Sequence, residues 1–97
     1  DTVNYELVTG SAVSAGTDVV LGSDFDAGEP YTLKVFLNGQ LLLPSSVSSN
    51  VVVSENDYTE RNASQPVGLG EIGNRVSFAF DLEATDIVQF KWSKQAS

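Results

Sequence analysis

Carboxylates are the side chains of this sequence whose spacing is closest to that of a chemical site. Asp24, Asp26 and Glu29 lie in a glycine-bearing stretch, where alternate residues bring oxygen ligands close together. Calcium takes about six to eight oxygen ligands from loops of this kind. The spacing Asp24-x-Asp26-x-Gly28-Glu29 is far short of an EF-hand pattern, however, so we expect a solvated turn and no bound metal.

A second acidic cluster contains Glu55, Asp57 and Glu60 and raises the question of glycoside hydrolysis. That reaction needs two carboxylates flanking a cleft, which a small β-sandwich rarely contains. The sequence has no histidine and no cysteine, so a Ser-His-Asp or Cys-His nucleophilic site cannot be built and zinc lacks its usual ligands. We therefore predict that the chain is not an enzyme and takes no cofactor.

The charge balance of the sequence indicates which classes of partner are disfavoured. Thirteen acidic residues oppose five basic ones among 97, which gives a formal net charge of −8. Nucleic acid and anionic membrane repel such a surface, and no apolar run approaches the ~20 residues of a membrane-spanning helix. We expect neither partner and interpret the acidity as a source of solubility. The 41% apolar content excludes wholesale disorder, and the length fits one domain over residues 1–97.

The elements that must position any site are organised around a hairpin at residues 31–44. Asn38-Gly39 separates two apolar runs, and both residue types tolerate the positive φ that a type I′ turn requires. A two-residue loop fixes the register, which predicts the facing pairs Leu37–Gln40, Phe36–Leu41, Val35–Leu42 and Lys34–Leu43.

Both faces of this hairpin are apolar. One carries Tyr31, Leu33, Val35, Leu37 and Leu42, and we assign it to the core. The other carries Thr32, Lys34, Phe36, Leu41 and Leu43. Three large apolar side chains on an outer face form a patch that monomers usually avoid. We predict that Phe36, Leu41 and Leu43 form a partner interface, and the alternative is that the long loop at residues 60–74 folds over them.

The rest of the chain predicts an all-β fold, a single small antiparallel β-sandwich or partly open barrel of six to eight short strands. Alternation favours strands around residues 3–7, 17–21, 51–54, 76–80 and 87–92. Residues 22–30 have turn chemistry, 45–50 form a serine-rich linker, and 60–74 form the longest irregular stretch. Trp92 continues the apolar face of its strand, so we expect it and Tyr58 in the core rather than on a sugar.

The second half contains a recognisable order of pieces. Phe-Leu-Asn-Gly at residues 36–39 is followed by Asp-Tyr-Thr at 57–59, Val-Ser-Phe-Ala-Phe at 76–80, Leu82, Asp86, and Ile-Val-Gln-Phe at 87–90. This order resembles the small β-modules of tailed-bacteriophage virion proteins, especially tail fibres, tail spikes and related appendages. The resemblance covers about residues 31–92. The connections at 44–56 and 60–74 are longer here than in those modules.

The resemblance implies a non-catalytic structural protein located in the virion, as a tail appendage or a capsid decoration protein. It implies other virion proteins as partners and a homo-oligomer or symmetric array, with a trimer favoured. The alternative is a carbohydrate- or receptor-binding module of a phage adhesin, with a surface glycan contacted by residues 60–74. A third reading is an accessory domain of an enzyme.

Overall fold

The computed structural model describes residues 2–8, 12–28 and 32–93, which form strands, bends and turns. The strands are β1 Thr2–Val8, β2 Asp18–Asp26, β3 Lys34–Leu37, β4 Gln40–Leu41, β5 Ser46–Ser48, β6 Val51–Ser54, β7 Tyr58–Arg61, β8 Ile72–Phe78 and β9 Ile87–Ser93. They build three antiparallel sheets, ordered β1-β9-β3-β4, β2-β8-β7 and β5-β6. The predicted all-β class is confirmed. Within the described ranges, no helix is suited to crossing a membrane.

The four-stranded sheet is built on β9, which lies between β1 and β3. Alternation sends Val88, Phe90 and Trp92 inward, and all three are buried. Trp92 is 2% exposed, so its predicted place in the core is confirmed. Val35 of β3 pairs with Phe90 and is fully buried beside it.

The hairpin turn follows the predicted geometry. Asn38 has φ of 49° and Gly39 has φ of 87°, both in the region that a type I′ turn uses. Asn38 also ties the turn to the start of β9, because its side-chain amide donates to Asp86 Oδ1 at 3.0 Å and its Oδ1 accepts from the Ile87 N–H at 2.9 Å.

The predicted register is confirmed up to Leu42. Phe36 pairs with Leu41 and Leu37 with Gln40, and the Leu42 N–H donates to the Val35 carbonyl at 2.8 Å. The predicted pair Lys34–Leu43 is wrong. The backbone of Leu43 turns instead to Asp57, whose Oδ2 accepts its N–H and whose own N–H donates to its carbonyl, both at 2.9 Å.

The prediction of a turn throughout residues 22–30 is wrong for its first part, because β2 continues to Asp26. The pairing with β8 shifts register between Val20, opposite Arg75, and Phe25, opposite Gly73. A bulge of this kind absorbs the turn-like Gly-Ser-Asp at residues 22–24 without ending the strand.

Two other predicted segments differ. Residues 45–50 are not a linker, because β5 pairs with β6 around a turn in which Ser49 and Asn50 have φ of 52° and 62°. The irregular stretch is shorter than 60–74, since β7 extends to Arg61 and β8 begins at Ile72. The remaining loop, residues 62–71, is called the β7–β8 loop below.

The core lies between the two larger sheets. Its largest fully buried side chains are Trp92, Tyr58, Phe25, Phe90, Leu33, Leu82, Val35, Val67, Val76 and Val88. The predicted core position of Tyr58 is confirmed. The Phe78 ring lies at its centre, with ring centroids 6.5 Å from both Tyr58 and Phe90 in tilted arrangements that aromatic pairs favour.

Candidate functional site

The outer face of the four-stranded sheet contains two of the three predicted interface residues. Phe36 is half-buried, and Leu41, its cross-strand partner, is 55% exposed. Leu43 is 61% exposed, but the backbone has left the sheet at that point, so the ladder does not place it beside the other two. The structure therefore brings Phe36 and Leu41 together and leaves Leu43 as a separate exposed leucine.

Two lysines flank Phe36 on this outer face. Lys34 of β3 lies directly opposite Lys91 of β9, and both are exposed. The Lys91 Nζ lies 5.6 Å from the centroid of the Phe36 ring, within the range of a cation–π contact. We call Lys34, Phe36, Leu41 and Lys91 the basic face.

The β7–β8 loop, which was the alternative to a partner as a cover for Phe36 and Leu41, has its anchoring hydrogen bonds elsewhere. Asn50 Nδ2 donates to the Pro66 carbonyl and to both Glu71 carboxylate oxygens, each at 2.9 Å, and this fastens the loop to the β5–β6 hairpin. The Ala27 N–H donates to the Glu71 carbonyl at 3.0 Å and fastens it to the end of β2. These anchors hold the loop on other elements.

The first acidic cluster lies on and after β2. Asp24 and Asp26 are both exposed, and Glu29 lies outside the described residues. Across the described ranges, no group of three His, Cys, Asp or Glu side chains is arranged to hold a metal ion.

The second acidic cluster is dispersed by the fold. Glu55 is exposed, Asp57 anchors the backbone of Leu43, and Glu60 is buried. Glu55 lies at the edge of an open depression of about 300 Å³, whose other lining residues are Ala15, Gly16, Thr59, Ser77, Phe78 and Ala79. That lining contains a single carboxylate, so this depression lacks the pair that glycoside hydrolysis needs.

Glu60 is a feature that composition alone does not predict. Glu60 is 4% exposed. Its Oε1 accepts from the Gly28 N–H at 3.0 Å, and its Oε2 has no hydrogen-bond partner among the described residues. Burial raises the pKa of the carboxyl to about 7, although the hydrogen bond from Gly28 acts in the opposite direction. The sequence signal for its burial is its position two residues after Tyr58, which places both side chains on one face of β7.

No protein-family model, no curated protein and no solved structure matches this chain. The fold by itself assigns no function.

Proposed function

We propose that this chain is a non-catalytic structural protein of a tailed-phage virion, a tail appendage or capsid decoration protein, which binds neighbouring virion proteins through its sheet face and loops. The resemblance of the motif order supports the phage assignment. The observation that carries the binding role is the basic face, where Phe36 and Leu41 stay accessible on a regular sheet and none of the loop's anchors lies on it.

The fold supports a contact role in a second way. Exposed apolar side chains of the two larger sheets lie on ordered strands: Leu41 on β4, and Ile72, 42% exposed, on β8. Apolar groups held on sheets are pre-organised, so binding orders few side chains and costs little conformational entropy.

The test is the composition of purified particles. Phage particles from a host that carries the gene should contain the chain in fixed stoichiometry, measured by mass spectrometry after density-gradient purification. The double variant Phe36→Ser/Leu41→Ser should be depleted from particles, whereas Val51→Ser/Val53→Ser, which removes similarly exposed side chains from β6, serves as the comparison. A wild-type chain that stays in the soluble lysate and is absent from particles would refute the virion assignment.

The second candidate is a glycan- or receptor-binding module of a phage adhesin. Its support is the β7–β8 loop, which is anchored at Pro66 and Glu71 and presents Leu69 with 72% exposure. Reproducible saccharide binding on a glycan array, lost when Leu69 and its exposed neighbours are replaced, would favour this function over the structural one.

A further inference from the structure

The basic residues of this acidic chain differ in their ion pairing. Arg61 and Arg75 both face Asp18, with nitrogen-to-oxygen distances of 3.2 Å and 3.7 Å, and the shorter is an ion pair without the geometry of a hydrogen bond. Within the described side chains, Lys34 and Lys91 form no such ion pair, and they face each other across β3 and β9. Like charges placed directly opposite on a sheet are destabilising.

A second surface with exposed charged and apolar side chains lies on the other large sheet. β2 is an edge strand there and carries the exposed Asp24 and Asp26. Asp26 is paired with Ile72 of β8, whose side chain is 42% exposed. We call Asp24, Asp26 and Ile72 the acidic face. It presents two carboxylates and one branched aliphatic side chain, and the basic face presents two ammonium groups beside Phe36 and Leu41.

We propose that the basic face of one copy binds the acidic face of the next copy, so that the chain assembles head to tail. This proposal names the partner for the contact surface of the proposed function and rests on that function. Charge complementarity favours a second copy as the partner, because only three basic residues besides Lys34 and Lys91 offset the thirteen acidic ones of the chain. The acidic face is the proposed contact because Asp24 and Asp26 lie on an edge strand beside the exposed Ile72. The apolar residues supply most of the affinity, and the charges set orientation and partner choice.

The contact is heterologous, since two different surfaces meet. Such a contact closes into a ring when its rotation permits and otherwise continues as a filament. Exposed ion pairs are screened by salt, so assembly weakens as ionic strength rises beyond the physiological range.

The test is a set of charge reversals followed by sedimentation velocity over a series of protein concentrations. Wild type should increase in mean mass with concentration. Lys34→Asp/Lys91→Asp and Asp24→Lys/Asp26→Lys should each lose this association. The quadruple variant that combines them should recover it, because the two faces have exchanged sign and the net charge is again that of wild type. Thermal unfolding of each variant confirms that it is folded.

The Asp24→Lys/Asp26→Lys variant separates specific contact from general repulsion. It brings the formal net charge of −8 nearer to zero, so an explanation by overall repulsion expects more association than in wild type. Our proposal expects less. A mixture of the two double variants should associate although neither does so alone, since each supplies the complement that the other lacks.

Two outcomes would overturn the proposal. A wild type that stays monomeric throughout the series would do so, as would association that survives either double reversal. Loss of association in the lysine variant alone would reject the acidic face as partner. In each case incorporation into particles remains an independent measurement, so the proposed function is judged separately.

Discussion

Glu60 places its carboxyl group in the interior, where desolvation favours the neutral form and raises the pKa from 4.5 to about 7. A group with a raised pKa in the folded state stabilises the fold fully below its unfolded pKa. That contribution is lost as the pH rises through the folded pKa. We therefore expect the free energy of unfolding to fall as the pH rises from 5 to 8. The loss is at most about 3 kcal/mol, because each unit by which the pKa is raised corresponds to about 1.36 kcal/mol.

The variant Glu60→Gln tests this expectation. Glutamine keeps an acceptor for the Gly28 N–H and cannot ionise, so the decline between pH 5 and pH 8 should disappear in urea unfolding curves. Glu55→Gln, at an exposed position, is the matched control and should retain the decline. The pKa values of Glu71 and Asp86 are lowered by hydrogen bonds, from Gly68 and Asn38 respectively, so their contributions are lost only in more acidic solution. If the free energy of unfolding of Glu60→Gln falls with pH as steeply as that of wild type, the assignment of the decline to Glu60 is wrong.

Gly28 is a second residue whose role depends on its surroundings. Its φ is +81°, and a Cβ atom at this position would clash with the backbone Cα and N of Leu69. Gly28→Ala should therefore lower the free energy of unfolding by about 1 kcal/mol through backbone strain. It should lower it further because the added methyl group displaces the β7–β8 loop. Gly16→Ala is the control, because its φ of +83° is similar and nothing lies within 4 Å of the added Cβ. Chemical denaturation should show a clearly larger loss for Gly28→Ala, and equal losses would mean that the loop yields freely.

At the scale of elements, the Asn38-Gly39 turn sets the register of the hairpin. Gly39 has φ of +87° with open space around it, so Gly39→Val should lose about 1–3 kcal/mol from backbone strain alone. Gly22→Val, in the β2 bulge where φ is not in the left-handed region and space is open, is the comparison and should cost less. A melting temperature for Gly39→Val within a degree of wild type would contradict the turn assignment.

The alternation of β8 and β9 gives a second prediction about elements. Phe78 is 2% exposed and contacts three aromatic rings, so Phe78→Ala should lose about 3–5 kcal/mol. Lys91 is exposed, and Lys91→Ala should cost under about 0.5 kcal/mol, since its contact with Phe36 is solvated. Urea unfolding of both variants checks the order, and reversed effects would mean that the opposite faces are buried.

Short-range sequence patterns predicted the elements that depend on a single strong pattern. The two-residue turn fixed the pairs up to Leu42, and strict alternation at residues 88–92 identified the buried side of β9. These patterns failed where sheet partners override composition. Gly22 and its neighbours have turn chemistry, yet pairing with β8 keeps β2 extended around them. Serines at residues 46–48 form β5 because Val47 pairs with Val52 across the hairpin.

The candidate site was predicted in part for the same reason. Register placed Phe36 beside Leu41, which is local information. The position of Leu43 depends on Asp57, and the opposition of Lys34 and Lys91 depends on β9, both distant in sequence. The sequence predicts a loop at Glu60, because Pro66 and the glycines that follow it are a stronger signal than the alternation that starts at Tyr58.

At the scale of the whole molecule, the contact surface and the core are separate, and this gives the last prediction. Phe36→Ser/Leu41→Ser changes an outer face, so the monomer should stay folded while the concentration-dependent mass of wild type is lost. Val51→Ser/Val53→Ser removes side chains that are 60% and 64% exposed on β6 and should leave the association unchanged. Light scattering after size exclusion measures the masses, and thermal unfolding confirms the folds. Equal loss of association in both variants would mean that general surface hydrophobicity, and not this sheet face, drives the contact.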